Sequence, residues 1–185
     1  MLEAIRAEDE MVLVTQAQHG DREAFGMLVC RHRAGMINGI YRMCGDAQLA
    51  EDAAQVALIR AWQRLPDYRP GGSFRSWLYR IAINTALDSL RREKQAEDID
   101  DLQLAEPEVS GDSRLEKEER IRKIRQAIMA LPEASRAVLI LREYEALTYQ
   151  EIAQTLDIPT GTVMSRLNYA RKWLAERLQF LMEEA

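Results

Sequence analysis

One stretch near the C-terminus restricts the possible folds more than any other part of the chain. Thr148 followed three residues later by Glu151 is the pattern of a capping box, which begins a helix running from Tyr149 to Leu156. The residues 157–159, Asp-Ile-Pro, indicate a tight turn, with the isoleucine filling the angle. Thr160 is then predicted to cap a second helix, which extends to Leu181.

The second helix has two different faces. Its apolar residues recur at helical spacing and form one stripe: Val163, Leu167, Ala170, Leu174 and Leu178. The opposite face carries hydrogen-bonding and basic side chains: Thr162, Ser165, Arg166, Asn168, Tyr169, Arg171 and Lys172. Such a face suits a recognition helix in a DNA major groove, and the pair of helices is predicted to be a helix-turn-helix. Two alternatives remain open: a helical hairpin with a solvated face, and a helix-turn-helix that binds protein.

The rest of the chain is predicted to be helical as well. Its 185 residues are 47% hydrophobic and 30% charged, with few Gly and Pro, and they contain no long alternating pattern of the kind that forms strands. In the N-terminal half, Asp21 is the predicted cap of a helix at 23–32, and Ser73 is the predicted cap of a helix at 74–94. Apolar spacing and prolines predict three further helices, at 49–65, 115–131 and 133–144.

Charge is distributed unevenly along the chain, which has a net charge of −5. Residues 60–94 contain eight basic and three acidic side chains, whereas the charged side chains of 95–113 are seven acids. The second stretch also contains Pro107 and Gly111 and lacks apolar periodicity, which is typical of a linker. The predicted fold is therefore all-α: a domain at 1–95, an acidic flexible linker at 96–113 and a helix-turn-helix domain at 114–185.

Aromatic and basic side chains alternate between Tyr68 and Asn84. Aromatic rings can stack on unpaired bases, at about 1–3 kcal/mol per base, while arginine binds phosphate and asparagine reads a base edge. Trp77 and Tyr79 could equally be core residues. The combination nevertheless favours contact with unstacked bases, and beside a reader of duplex DNA it indicates a protein that opens DNA.

Several classes of protein are disfavoured by the sequence. No apolar run approaches the roughly 20 residues that span a bilayer, and the N-terminus lacks the pattern of a signal peptide, so a cytoplasmic protein without membrane insertion is expected. Cys30 and Cys44 form no metal-binding pattern, and His19 and His32 are isolated. Neither a phosphate-binding glycine loop nor a nucleophile–base pair is evident, so we expect no metal, no cofactor and no enzymatic activity.

Three segments in this order resemble the sigma-70 family of transcription initiation factors, in its short extracytoplasmic-function type. Residues 50–65, AEDAAQVALIRAWQRL, are similar to the family's polymerase-binding helix. Residues 73–93, SFRSWLYRIAINTALDSLRRE, resemble its helix for melting and reading the −10 element. Residues 146–174, ALTYQEIAQTLDIPTGTVMSRLNYARKWL, resemble its −35-reading helix-turn-helix. The resemblance covers nearly the whole chain.

The resemblance implies a role for each segment. Contact with the clamp helices of the largest polymerase subunit falls on Asp52, Gln55, Ile59 and Arg60. By the same resemblance, the loop from Tyr68 to Phe74 would capture a flipped non-template base. The residues implied to bind the −10 strand are Tyr68, Arg69, Phe74, Arg75, Trp77, Arg80, Asn84, Asp88 and Arg91. The residues implied to bind the −35 duplex are Thr148, Thr160, Thr162, Met164, Ser165, Asn168, Tyr169, Arg171 and Lys172.

The resemblance also implies partners, and this sequence departs from the family pattern at three positions. The implied partners are core RNA polymerase, through its clamp helices and beta flap, promoter DNA as duplex and as melted strand, and an anti-sigma factor able to hold the protein at the inner membrane. Val56 stands where an acid is common, and Met164 and Tyr169 replace frequent basic residues. A free DNA-binding regulator and a mimic that occupies an inhibitor are the alternative functions.

Overall fold

The computed structural model describes residues 2–69, 72–97 and 113–183, and every regular element within these ranges is helical. Eight α-helices follow each other in this part of the chain: α1 Leu2–Gln18, α2 Arg22–Cys44, α3 Ala47–Arg64, α4 Phe74–Glu97, α5 Ser113–Met129, α6 Glu133–Leu139, α7 Tyr149–Leu156 and α8 Thr160–Glu183. A 3-10 turn, Leu65–Asp67, follows α3, and a π-helical turn, Ile140–Tyr144, continues α6. The predicted all-α fold of two helical units is confirmed.

The N-terminal unit is built from α1 to α4. Asp21 caps α2 by accepting hydrogen bonds from the backbone N–H groups of Glu23 and Ala24, as predicted. The Ser73 hydroxyl likewise accepts from the backbone N–H of Ser76, 3.1 Å away, at the start of α4. One face of α3 consists of small buried residues: Ala50, Ala53, Ala54, Ala57 and Ala61. Because these side chains are short, α3 packs closely against both α2 and α4.

The helix-turn-helix lies in the C-terminal unit, as predicted. Thr148 and Glu151 form both hydrogen bonds of the capping box, and Asp157 ends α7 in the left-handed conformation, with φ at 54°. Val163, Leu167 and Ala170 of the predicted stripe are buried. The prediction of Thr160 as a cap is wrong. Thr160 is already the first helical residue, because the carbonyl of Pro159 accepts the first hydrogen bonds of α8.

The sequence prediction misses α1, Leu2–Gln18, and it ends the next helix at His32, whereas α2 continues to Cys44. Its interior glycines allow another helix to approach closely. A Cβ atom at Gly35 would lie 2.7 Å from the hydroxyl of Tyr79, and one at Gly39 would lie 3.3 Å from the ring of the same tyrosine. The helix ends at Gly45, which adopts a left-handed conformation with φ at 81°.

The two units pack against each other. α7 lies on α4, and α2 contacts α5, α6 and the π-helical turn, so that the buried apolar residues of both units form one continuous core. The predicted linker, 96–113, falls mostly outside the described residues. At its margins, α4 extends to Glu97 and α5 begins at Ser113.

Candidate nucleic-acid and polymerase interfaces

The outer face of α3 carries the predicted polymerase contacts. Asp52, Gln55 and Ile59 are exposed there, at i, i+3 and i+7, opposite the buried alanine face. Ile59 is 58% exposed and its neighbour Val56 is 41% exposed. An exposed apolar strip on an otherwise well-packed helix is typical of a surface that binds another protein.

Arg60, the fourth predicted polymerase contact, is instead bound to α4. Its guanidinium donates to the Thr85 hydroxyl at 3.1 Å and to the Asp88 carboxylate at 3.2 Å. Asp88 was predicted to face DNA, so this ion pair joins two predicted sites. Both side chains are partly exposed, and the pair fixes α3 relative to α4.

The aromatic side chains of the predicted −10 region form one cluster. The ring of Tyr68 lies 5.0 Å from that of Trp77, and the ring of Phe74 lies 5.4 Å from Trp77. Tyr68 and Phe74 are buried, and the Tyr68 hydroxyl donates to the carbonyl of Gly72 at 3.1 Å. Burial, followed by the negative charge of Glu10, raises the pKa of Tyr68 above its ordinary value. These two rings hold the loop before α4, and Trp77 is the half-buried member.

A cleft of about 320 Å³ lies between this cluster and the helix-turn-helix. The N-terminal unit lines it with Tyr68, Arg69, Gly72, Ser73, Ser76, Trp77 and Arg80, and α7 adds Gln154 and Thr155. The cleft therefore combines an aromatic wall with guanidinium and hydroxyl groups. These are the groups that bind a nucleotide by stacking and by contact with its phosphate.

The remaining predicted −10 residues differ in how far they are available to a ligand. Arg69, Asn84 and Arg91 are exposed. Arg80 lies 3.9 Å from Asp157 of the helix-turn-helix, and both side chains remain largely exposed. Arg75 donates to Glu145 at 3.0 Å, across the contact between the two units.

The polar face of α8 is exposed, as the pattern predicted. Met164, Ser165, Asn168, Tyr169 and Lys172 face outward, and Thr162 is partly buried. Thr148 lies at the start of α7, where its side chain is used in the capping box. Arg171 is bound to Glu143, 2.7 Å away, and the hydrogen bond to this carboxylate raises the pKa of Arg171.

The polar contacts that join the two units were not predicted. Glu145 is buried and accepts hydrogen bonds from Arg75 and from the Tyr79 hydroxyl. Burial, and then the hydrogen bond with Glu145, raise the pKa of Tyr79 well above its ordinary value. Glu151 was predicted only as a capping residue, yet it also reaches Ser73 and Ser76 of the other unit. None of these contacts produces a local pattern that sequence reasoning could have used.

Arg136 is a second unpredicted link between the units. It is 6% exposed, and its guanidinium donates to the carbonyls of Met43, Met129 and Leu131 at 2.6, 2.6 and 2.9 Å. Met43 belongs to the last turn of α2, whose free carbonyls favour a cation. Burial lowers the pKa of Arg136, although Glu133 opposes that effect. Even a lowered arginine pKa leaves the side chain charged at neutral pH.

The cysteines and histidines form no second site within the ranges that the structure covers. Burial is the main cause that raises the pKa of Cys44 to about 12, so its thiol is unreactive, and Cys30 is exposed. His32 is bonded to Glu10 at 2.7 Å. Among the residues described, no group of three His, Cys, Asp or Glu side chains could hold a metal ion. No helix in those same ranges is both long and apolar enough to cross a membrane.

Comparison with known proteins accounts for both units. Residues 28–96 match the family model for sigma-70 region 2, and residues 121–174 match that for sigma-70 region 4. The first match contains the α3 face and the aromatic cluster, and the second contains the helix-turn-helix.

Relatives and solved structures agree with these matches. The RNA polymerase sigma-H factor of Pseudomonas aeruginosa is 37% identical, over 96% of this chain and 98% of that protein. The ECF RNA polymerase sigma-E factor of Escherichia coli K12 is 36% identical, over 94% and 96%. The structure of CnrH with the cytosolic domain of CnrY matches 92% of this chain and 97% of CnrH, with a TM-score of 0.72 and 26% identity. This chain therefore belongs to the sigma-70 family, as an extracytoplasmic-function sigma factor that directs RNA polymerase to promoters.

Proposed function

We propose that this sigma factor binds the polymerase and reads the −10 element with a domain at 1–95, and reads the −35 element with a domain at 114–185. The acidic stretch 96–113 joins the two domains. The single observation that best supports this division is the surface of α3. Asp52 and Gln55 lie beside the exposed apolar side chains Val56 and Ile59, while the opposite face is buried. Such a surface can bind the clamp helices of the polymerase without any change in the fold.

The −10 element is read by α4 and the loop before it. The aromatic cleft would take an unpaired base of the non-template strand against Trp77, and Arg69, Arg80 and Arg91 would bind its phosphates. Asn84 is exposed on the same helix and can form two hydrogen bonds with a base edge. Tyr68 and Phe74, which are buried, would support the shape of this site.

The −35 element is read by α8. Its exposed Ser165, Asn168 and Tyr169 lie on the face that would enter the major groove, with Lys172 on phosphate. Arg171 would have to leave Glu143 to reach DNA, which an exposed ion pair allows at small cost. Met164 is 52% exposed on this face and offers an apolar contact. A basic residue at this position would instead attract DNA of any sequence.

An anti-sigma factor is the partner that would control the protein. Support comes from solved structures of similar fold, CnrH with the cytosolic domain of CnrY and a Bartonella quintana sigma factor with the anti-sigma factor NepR, the latter at 22% identity and a TM-score of 0.69. The protein would act in the cytoplasm, and an inhibitor in the inner membrane would hold it there until a signal arrives.

Promoter-directed transcription in vitro tests the proposal as a whole. Purified protein and core RNA polymerase are supplied with a genomic promoter library, and the start sites are sequenced. We expect discrete starts that depend on the protein and share two upstream elements. Core binding without such starts would instead indicate a mimic, and the absence of core binding would favour a free DNA-binding regulator.

Replacing both Asp52 and Gln55 by alanine is expected to weaken binding to core polymerase by about tenfold, because interface residues at the centre of a contact contribute most of the affinity. Fluorescence anisotropy with labelled protein measures this affinity. Both side chains are exposed, so the circular dichroism spectrum should not change. Glu51→Ala is the matched control, since it removes an exposed charge from an adjacent face of α3. Unchanged core affinity in the double variant would contradict the assignment.

Asn84→Ala is expected to reduce promoter-specific initiation by about tenfold while core affinity stays constant, because a bidentate contact with a base contributes about 1–3 kcal/mol. Abortive initiation on a promoter from the library measures the first quantity, and anisotropy measures the second. Asn38→Ala, at an exposed asparagine of α2, is the control. A parallel loss of core binding would exclude a base-reading role for Asn84.

A further inference from the structure

The contact between the units places carboxylates of the helix-turn-helix domain on DNA-facing groups of α4. Glu145 binds Arg75 at 3.0 Å, and Asp157 lies 3.9 Å from Arg80. Glu151, which lies between Glu145 and Asp157 in the sequence, is within hydrogen-bond distance of two serine hydroxyls at the start of α4. The second unit thus presents negative charge to the surface that would bind a polyanionic strand.

The serine pair at the start of α4 has the geometry of an anion site. The hydroxyl oxygens of Ser73 and Ser76 are 2.7 Å apart, and they lie 3.2 and 3.1 Å from the Oε1 atom of Glu151. Ser76 is 5% exposed, because α7 covers it. The other oxygen of Glu151 accepts from the backbone N–H of Thr148 at 2.8 Å, which orients the carboxylate toward the serines.

Glu151 is held in its charged form. Burial opposes ionisation, but the hydrogen bonds from the backbone and hydroxyl of Thr148, then from Ser76 and Ser73, outweigh it and keep the pKa of Glu151 below its ordinary value. An anionic oxygen therefore occupies the serine pair at neutral pH.

The surroundings of the serine pair are those of a nucleotide. Trp77 and Arg80 line the adjoining cleft, so a base stacked there would have its phosphate near the two hydroxyls. α7 also covers this cleft: the side-chain oxygen of Gln154 lies 3.1 Å from where a Cβ atom at Gly72 would be. Helix α7 thus covers both the serine pair, where the phosphate would bind, and the cleft, where the base would enter.

We propose that Ser73 and Ser76 form a binding site for a phosphate of the melted DNA strand, and that Glu151 takes the place of this phosphate in the closed protein. Strand binding and closure of the two units then exclude each other, so the free protein does not bind single strands until the units separate. This inference rests on the proposed role of α4 in strand binding. It adds to that role a specific ligand group and a specific internal competitor.

The test measures single-strand binding by the full-length protein without polymerase. The probe is a fluorescein-labelled 15-nucleotide oligodeoxythymidylate, because contacts with phosphate do not depend on sequence. Glu151→Gln retains an acceptor for the capping box but removes the charge. We expect about fivefold tighter binding, since weaker closure raises the fraction of protein that is able to bind.

A distance measurement reports closure independently of DNA. Spin labels at the exposed Cys30 of α2 and at an introduced Glu176→Cys on α8 lie on different units. We expect their separation to increase in Glu151→Gln and on addition of the oligonucleotide. Unchanged separation together with unchanged affinity would overturn the proposal.

Serine variants distinguish a phosphate site from a mere contact between the units. Adding Ser76→Ala to Glu151→Gln should abolish the gain in affinity, whereas adding Ser89→Ala, the same change elsewhere on α4, should not. Ser76→Asp should separate the units by repelling Glu151 yet give no tighter binding, because its charge also repels phosphate. Separation of the units with tight binding in either Ser76 variant would refute the phosphate site.

Failure of this inference is distinguishable from failure of the proposed function. If the wild-type protein directs transcription from discrete promoters but Glu151→Gln changes neither distance nor affinity, only the internal competition is wrong. If the wild-type protein directs no transcription, the proposed function is wrong, irrespective of the affinity for the oligonucleotide.

Discussion

Arg136→Ala will lower the free energy of unfolding by about 3–5 kcal/mol, as measured by urea denaturation followed by circular dichroism. The guanidinium is buried and donates to three backbone carbonyls, of which Met43 belongs to one unit and Met129 and Leu131 to the other. Alanine would leave these carbonyls without their donor, and each buried unpaired polar group costs about 1–3 kcal/mol. The variant would also lose a cation at the C-terminal end of α2.

Arg125→Ala is the control for this prediction. Arg125 is exposed, and its guanidinium reaches the Tyr41 hydroxyl at 3.4 Å and lies over the same ring at 5.5 Å. Because water can replace these contacts, we expect a loss below about 1 kcal/mol. Equal losses in the two variants would mean that the buried hydrogen bonds of Arg136 contribute nothing beyond an ordinary surface arginine.

Glu145→Ala will separate the two units, with a cost to closure of about 2–4 kcal/mol. The carboxylate is buried between Arg75 and the Tyr79 hydroxyl, and alanine would leave that hydroxyl without its acceptor. Since Tyr79 is itself buried against Gly35 and Gly39, it could regain a partner only by admitting water to the contact. Small-angle X-ray scattering of the free protein should therefore record a larger radius of gyration.

Glu143→Ala provides a matched control two residues away. Glu143 also binds an arginine, Arg171 at 2.7 Å, but this pair is exposed and lies within one unit. We expect its loss to cost less than about 1 kcal/mol and to leave the radius of gyration unchanged. If Glu145→Ala gives the scattering curve of the wild-type protein, the buried carboxylate does not hold the units together.

The helix-turn-helix could be predicted in detail because its determinants are local. The capping box of Thr148 and Glu151 involves residues three apart, and the turn follows from Pro159 and the residue types before it. The apolar stripe of α8 needs no knowledge of the other unit, since it packs against helices of its own domain. The exposed positions of Asp52 and Gln55 follow in the same way, from the small-residue face on the opposite side of α3.

Residues whose environment is made by distant parts of the chain could not be predicted. Gly35 and Gly39 lie beyond the predicted end of the helix at His32, yet α2 runs through them, and Tyr79 fills the space that a Cβ atom would need. Arg60 and Asp88, predicted for two different partners, bind each other because packing brings α3 and α4 together.

Capping, turn geometry and apolar periodicity act between residues a few positions apart, so the sequence alone predicted the helix-turn-helix and most of the other helices. The order of three similar segments indicated the family. Tertiary packing, in contrast, closes the two units on each other and places Glu145, Glu151 and Arg136 in the contact. In the sequence, Glu145 and Arg136 look like ordinary surface charges, and Glu151 looks like a capping residue only. Their role arises from contact with partners 66 to 93 residues away, and a charge withdrawn from water must find a partner wherever the fold provides one.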